Sequence, residues 1–235
     1  MFSIAISEFR MLLRNKLVAA CAILIPLAFG AFFIFTGNQG GTSVIAVFQV
    51  LIMIAMGVYV TATTTLAARR QTLFLKRLRS GAVSDQSIIV GLVLPIVVVS
   101  VVQIGIILTV LGITSGQPPA NVLLVIIGVL AAEVMFTGFA LATAGVTNSP
   151  EHAQITTLPL FAATLGVAVW VTYTGTTELT VLKRALPGGG LAELISTGWA
   201  GGAIDNVLLL ILPSIGWAAV AVSVARAMFK WEPRA

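Results

Sequence analysis

Charge is what this chain has least of. Only 9% of its 235 residues are Asp, Glu, Lys or Arg while 58% are hydrophobic, whereas an ordinary soluble domain carries roughly 25% charged residues. A soluble core of this length is excluded, and composition places the chain in the membrane class. The single cysteine, Cys21, lies inside an apolar run, which excludes an intramolecular disulfide framework and a cysteine-based zinc site. The single histidine, His152, stands at the start of another apolar run without a cluster around it, so serine-, cysteine- and metal-hydrolase chemistry lack their residues. No G-x-x-x-x-G-K-[ST] loop is present. Gly188, Gly189 and Gly190 are followed by Leu191, not by a lysine and a hydroxyl, so ATP hydrolysis would have to come from another subunit. No catalytic, cofactor or metal site is expected on this chain. The net charge of +5 is spread among bilayer-length apolar runs and forms no basic face that tracks phosphates, which argues against nucleic acid.

What the chain does have is long apolar runs. A hydrocarbon core of about 30 Å takes roughly 20 helical residues to cross, and six segments qualify: 17–36, 44–68, 88–113, 122–147, 151–174 and 206–226. The first is too long for the apolar region of a signal peptide and has no convincing A-x-A cleavage site, so it reads as a retained span. Pro26, Pro95, Pro159 and Pro213 fall inside four of the spans, where they predict kinks or local breaks and not helix ends. No solenoid repeat or linker divides the chain. The expected architecture is an all-α polytopic membrane protein, one domain over 1–235.

The connections set the orientation. Those after the first and third spans carry no charge, whereas the N-terminus, the loop from Arg69 and the C-terminal tail hold eleven of the thirteen cations. The positive-inside rule then places both termini and that loop in the cytoplasm, with the plasma membrane as the expected location. Residues 1–16 predict an interfacial elbow helix, with Phe2, Ile6, Phe9 and Leu13 on one stripe and Ser3, Ser7, Arg10 and Arg14 on its neighbour. At the fourth turn, Ser149 as N-cap and Pro150 at the first helical position predict a clean restart. The long connection 175–205 is broken by Pro187 and three glycines and then resumes with LAELI, which predicts a short helix dipping back at the outer surface.

The loop 69–87 packs Arg69, Arg70, Lys76, Arg77 and Arg79 into eleven positions and interleaves them with Leu73, Phe74, Leu75 and Leu78. A short surface helix with an apolar side and a charged side is expected there, suited to receive a mechanical input from another protein. Leu75 and Leu78 would act as anchors and Lys76, Arg77 and Arg79 as rim charges; contact with membrane lipid headgroups accounts for part of the positive charge.

Inside the spans, Glu133 is the single acid near a span centre, where an ionised carboxylate costs at least a few kcal/mol. It either meets a cationic substrate or a proton, or it stays neutral and hydrogen-bonds a neighbour such as Gln103. Gln154, Thr157, Phe161 and Thr164 lie on one face of the fifth span, and Gln49, Met53, Met56 and Val60 on one face of the second. These faces are candidates for a substrate route, or alternatively the polar contacts that hold helices together in lipid.

The order of parts, the run RQTLFLKRLRSGA from Arg70 to Ala82, the leading EFRMLLRNK and the LP before the helix at 186–195 resemble the membrane subunit of an ABC-2 type transporter, a family of drug, antibiotic and polysaccharide exporters. Gln71, Phe74, Gly81 and Ala82 depart from the family's usual glycine, small residue, threonine and proline. The resemblance implies a dimer of membrane subunits, identical or homologous, with two ATP-binding subunits that carry ATP and Mg and dock on Arg70, Leu73, Leu75, Lys76, Arg77, Leu78 and Arg79. It also implies ATP-driven export of an amphipathic small molecule, as in multidrug efflux and antibiotic resistance. A polysaccharide or lipid-linked exporter would want more aromatic residues than the 8% here, and an ion-coupled secondary carrier would need paired mid-membrane ionisable groups.

Overall fold

The computed structural model describes residues 41–80, 84–204 and 206–228, with Trp231 and positions 6, 7, 9, 10, 27, 28, 30–32 and 34–36. The predicted elbow at 1–16 and the first predicted span therefore lie largely outside the described residues. Among the described residues there is no strand, and five helices are long and apolar enough to cross a membrane. In chain order they are α1 (Thr42–Gln71), α3 (Asp85–Ser115), α4 (Val122–Val146), α5 (Pro150–Thr174) and α8 (Val207–Met228). Three short helices join them: α2 (Phe74–Arg79), α6 (Thr180–Ala185) and α7 (Gly189–Ala200).

The helix ends follow from local chemistry. Ser84, Asn121 and Ser149 each turn a side-chain oxygen to a free backbone N–H of the first turn, accepting from Ser87, Leu124 and His152 at the starts of α3, α4 and α5. Pro150 occupies the first position of α5, where its missing N–H is not needed. α3 ends on Gly116 at φ 66°, a left-handed stop that suits glycine. Pro95, Pro159 and Pro213 sit within α3, α5 and α8, which run on through them instead of breaking. α1 carries one feature that periodicity does not announce. Residues Ala55–Val60 wind as a wider π turn, and the Thr61 hydroxyl donates to the Met56 carbonyl (3.1 Å) within it.

α1 and α4 form the buried centre, whereas α5 and α8 expose most of their apolar surface. Tyr59, Phe136, Phe139 and Trp217 pack in tilted and edge-to-face pairs with centroids 6.0–6.4 Å apart. The buried Tyr59 hydroxyl is paired with Thr143 Oγ1 at 3.0 Å. α4 and α8 approach closely through small residues: a Cβ on Gly138 would lie 3.1 Å from the Ala218 backbone. Without a hydrophobic driving force in lipid, such close backbone contact is what holds helices together.

Within the connection after α5, Lys183 and the residues from Leu186 to Trp199 pack into the bundle end. Helix α7 buries Leu191, Ala192, Leu194, Ile195 and Trp199 and is longer than the brief turn that LAELI suggests. Lys183 is buried and its ammonium donates to Thr174 Oγ1 (2.8 Å) and the Gly175 carbonyl (2.7 Å), capping α5. Arg184 grips Glu193 with two bonds (2.7 and 2.5 Å), joining α6 to α7, and Trp217 Nε1 donates to the Ala185 carbonyl. The glycine triplet is a close-approach device here: a Cβ on Gly189 would run into the Lys183 carbonyl oxygen, and one on Gly190 into the Leu210 carbonyl oxygen.

Candidate functional site

The basic turn after α1 is built by a reversal at Leu73, whose backbone is left-handed at φ 57°. A non-glycine residue there is held against about 1–3 kcal/mol of strain. The turn is tied by Arg77, whose Nη2 donates to the Thr72 carbonyl (3.0 Å). α2 then lies with Leu75 fully buried in the core and with Phe74 and Leu78 partly buried against it. The Arg69 guanidinium stands 4.8 Å above the Phe74 ring. Arg79 pairs with Asp85 (3.2 Å) and lies over the Trp231 ring (5.1 Å).

Arg70 is turned inward. It is 1% exposed, and its guanidinium donates to the Ala144 carbonyl (3.0 Å) and to the Thr147 carbonyl. These are carbonyls at the C-terminal end of α4, where a fixed positive charge also meets the negative end of the helix dipole. The sequence reading groups Arg70 and Leu75 with the residues that meet a partner; in this structure both side chains are buried. Hydrophobic periodicity in a six-residue helix does not tell which leucine faces the bundle. What the turn presents outward is Leu73, Lys76, Arg77 and Arg79, and Leu73, Lys76 and Arg77 border a shallow groove of about 410 Å³ with Thr72 and Ser80.

Buried polar side chains stand on α1, α3 and α4. Gln49 is buried and its Nε2 donates to the Gly30 carbonyl (2.6 Å), beside Ile107 of α3. Met53 and Gln103 are buried, and Met56 is half-buried. A Cβ built on Gly57, in the π turn, would lie 3.7 Å from Ser100 Oγ of α3. Glu133 of α4 is 3% exposed, and among the described residues both its carboxyl oxygens, like the Ser100 hydroxyl, lack a hydrogen-bond partner. Charge buried there without a partner would cost several kcal/mol.

The α5 stripe faces elsewhere. Thr157 is buried and bonds its own helix at the Ala153 carbonyl (2.8 Å). Thr164 is buried against Gly188, where a Cβ would lie 2.7 Å from its methyl group. Phe161 is half-buried and Gln154 exposed. Of the two stripes, Gln49 thus lies beside α3 and Thr164 against the turn before α7. Sequence reasoning missed Ser100, although it lies three residues before Gln103 on the same helix face, and it missed the Tyr59–Thr143 pair, which no spacing in the chain links.

Among known proteins, a family model described as ABC-2 type transporter matches residues 2–169, more than two thirds of the chain. No curated protein and no solved structure matches it.

Proposed function

The chain belongs to the ABC-2 type transporter family, a multi-pass permease subunit of an ABC transporter, and from this premise we propose that it exports an amphipathic small molecule across the plasma membrane, powered by two separate ATP-binding subunits. Both termini and the basic turn face the cytoplasm in this reading, and a second membrane subunit, identical or homologous, completes the pathway.

The observation that carries the proposal is the construction of the turn. Exposed Lys76, Arg77 and Arg79 offer cations to carboxylates on a docked ATPase, with Leu73 as the apolar contact. Behind them, buried Leu75 and the Arg70 link to the end of α4 join that surface to the two central helices. A displacement of α2 by a closing ATPase pair would therefore be passed to α1 and α4 together, not absorbed in a loose loop. The buried polar side chains of Gln49, Gln103 and Glu133, with Met53 and Met56, border the helices that would move, and the exposed apolar faces of α5 and α8 are available to lipid and to the second subunit.

The test is reversal of charge at Lys76, Arg77 and Arg79 together. The expected result is a permease that folds and inserts normally but loses its ATPase subunit or uncouples ATP turnover from transport. Unaltered assembly and transport in that variant would reduce the turn to a topology signal.

A further inference from the structure

The basic turn does not stand alone at its end of the bundle. Just past α8, which ends at Met228, Trp231 folds back onto α2. Its side chain is half-buried against the core cluster that holds Leu75, as are Phe74 and Leu78. The Arg79 guanidinium carbon stands over its ring, 5.1 Å from the centroid. Arg79 is held from a second side by α3. Asp85 lies in the first turn of that helix, where the helix dipole favours a carboxylate, and its Oδ1 meets Arg79 Nε at 3.2 Å.

Neither contact occupies the far end of the group. Among the described residues the two terminal nitrogens, Nη1 and Nη2, make no bond, and the side chain stays 53% exposed. The neighbouring arginines are used differently: Arg77 has Nη2 tied to the Thr72 carbonyl inside the turn, Arg69 lies over Phe74, and Arg70 is buried. A guanidinium fixed at Nε and open at its terminal pair is a planar fork that fits a carboxylate with two parallel bonds. Holding it in place beforehand removes much of the side-chain freedom that a long cation would lose on docking. Between Arg69 and Arg79 the chain has five cations and no acid, so the complementary partner surface is acidic.

We propose that Trp231 is a positioning residue for the ATP-binding subunit: with Asp85 it presents the Arg79 fork to one carboxylate of that subunit, so that the chain just past α8 belongs to the docking surface. This rests on the docking reading above and adds a second segment to it. Of the three exposed cations, Arg79 makes the directional contact, while Lys76 and Arg77 contribute attraction over distance.

The test measures binding of the purified ATP-binding subunit to the full-length permease in neutral detergent, for Trp231→Phe and Trp231→Leu, each with Arg79 in place and with Arg79→Gln. Both replacements remove the indole and share the loss of its packing, but only phenylalanine keeps an aromatic face. With Arg79 in place, Trp231→Leu should bind about two- to five-fold more weakly than Trp231→Phe; with Arg79→Gln the two should bind alike. Equal affinity of the two with Arg79 in place would overturn the proposal. So would a difference that persists in Arg79→Gln, which is what a tryptophan that only anchors the chain at the membrane interface would give. A Lys76→Glu, Arg77→Glu variant separates this from the reading beneath it. If that variant binds the subunit as the wild type does, the turn is not the docking surface and both fall; if it loses binding while Trp231→Phe and Trp231→Leu stay equal, only the role of Trp231 falls.

Discussion

Replacing Arg70 with methionine separates a side chain that holds the fold from one that meets a partner. Methionine keeps the apolar stem and removes the guanidinium, so two bonds to α4 carbonyls are lost, from Ala144 and Thr147. A hydrogen bond from a charged donor contributes about 1.5–3 kcal/mol, and loss of the cation at a helix C-terminus adds a few tenths to about 1 kcal/mol. Water at the bundle end will recover part of this, which leaves a loss of about 3 kcal/mol. For a chain of this size roughly 2–4 °C of melting temperature accompanies each kcal/mol, so the midpoint should fall by roughly 6–12 °C. Thermal unfolding of the purified protein in detergent, followed by circular dichroism, reads the shift. Arg70→Lys keeps the charge but not the fork, and should recover about half. An Arg70→Met protein that melts with the wild type would refute the role given to this residue. So would a Lys76→Glu, Arg77→Glu double variant that melts as early as Arg70→Met, because those side chains are exposed and should move the midpoint little.

Glu133→Gln, which keeps the shape and removes the possibility of charge, should leave expression and the melting midpoint within about 1 kcal/mol of wild type, whereas Glu133→Lys should abolish a monodisperse protein on size exclusion. Gly189→Ala should destabilise by at least about 2–3 kcal/mol in the same melt, because its methyl group meets the Lys183 carbonyl and not a flexible side chain. Gly57→Ala, which meets only Ser100 at 3.7 Å, should be neutral or slightly stabilising. Thr143→Val should cost about 1–3 kcal/mol by stranding the Tyr59 hydroxyl. Adding Tyr59→Phe should return much of it, a coupling that a double-mutant cycle measures.

The spans were legible because bilayer crossing demands a length that composition alone betrays, and the start of α5 at Pro150 follows from Ser149 and the proline. The sides of those helices were not. In lipid, the protein-facing and lipid-facing surfaces are both apolar, so periodicity cannot separate Leu75, which is buried, from Leu73, which is exposed. Arg70 looked like its neighbours because its partners are backbone carbonyls 74 and 77 residues away, and carbonyls leave no mark in a sequence. The same holds for Gly189 and Gly190, which read as breakers and serve as contacts. Glu133 was visible as an oddity, and its burial beside Ser100 could only come from the packing of α3 on α4.

The most direct measurement of the central claim is site-directed crosslinking with the ATP-binding subunit. In a Cys21→Ser background, cysteine placed at Lys76 and, separately, at Gln117 just past the opposite end of α3 would each be treated with a bifunctional thiol-to-amine reagent in membranes. The account predicts an adduct with an ATP-binding protein from position 76 that changes in yield when ATP is trapped, and none from position 117. An adduct from 117 with none from 76 would contradict it.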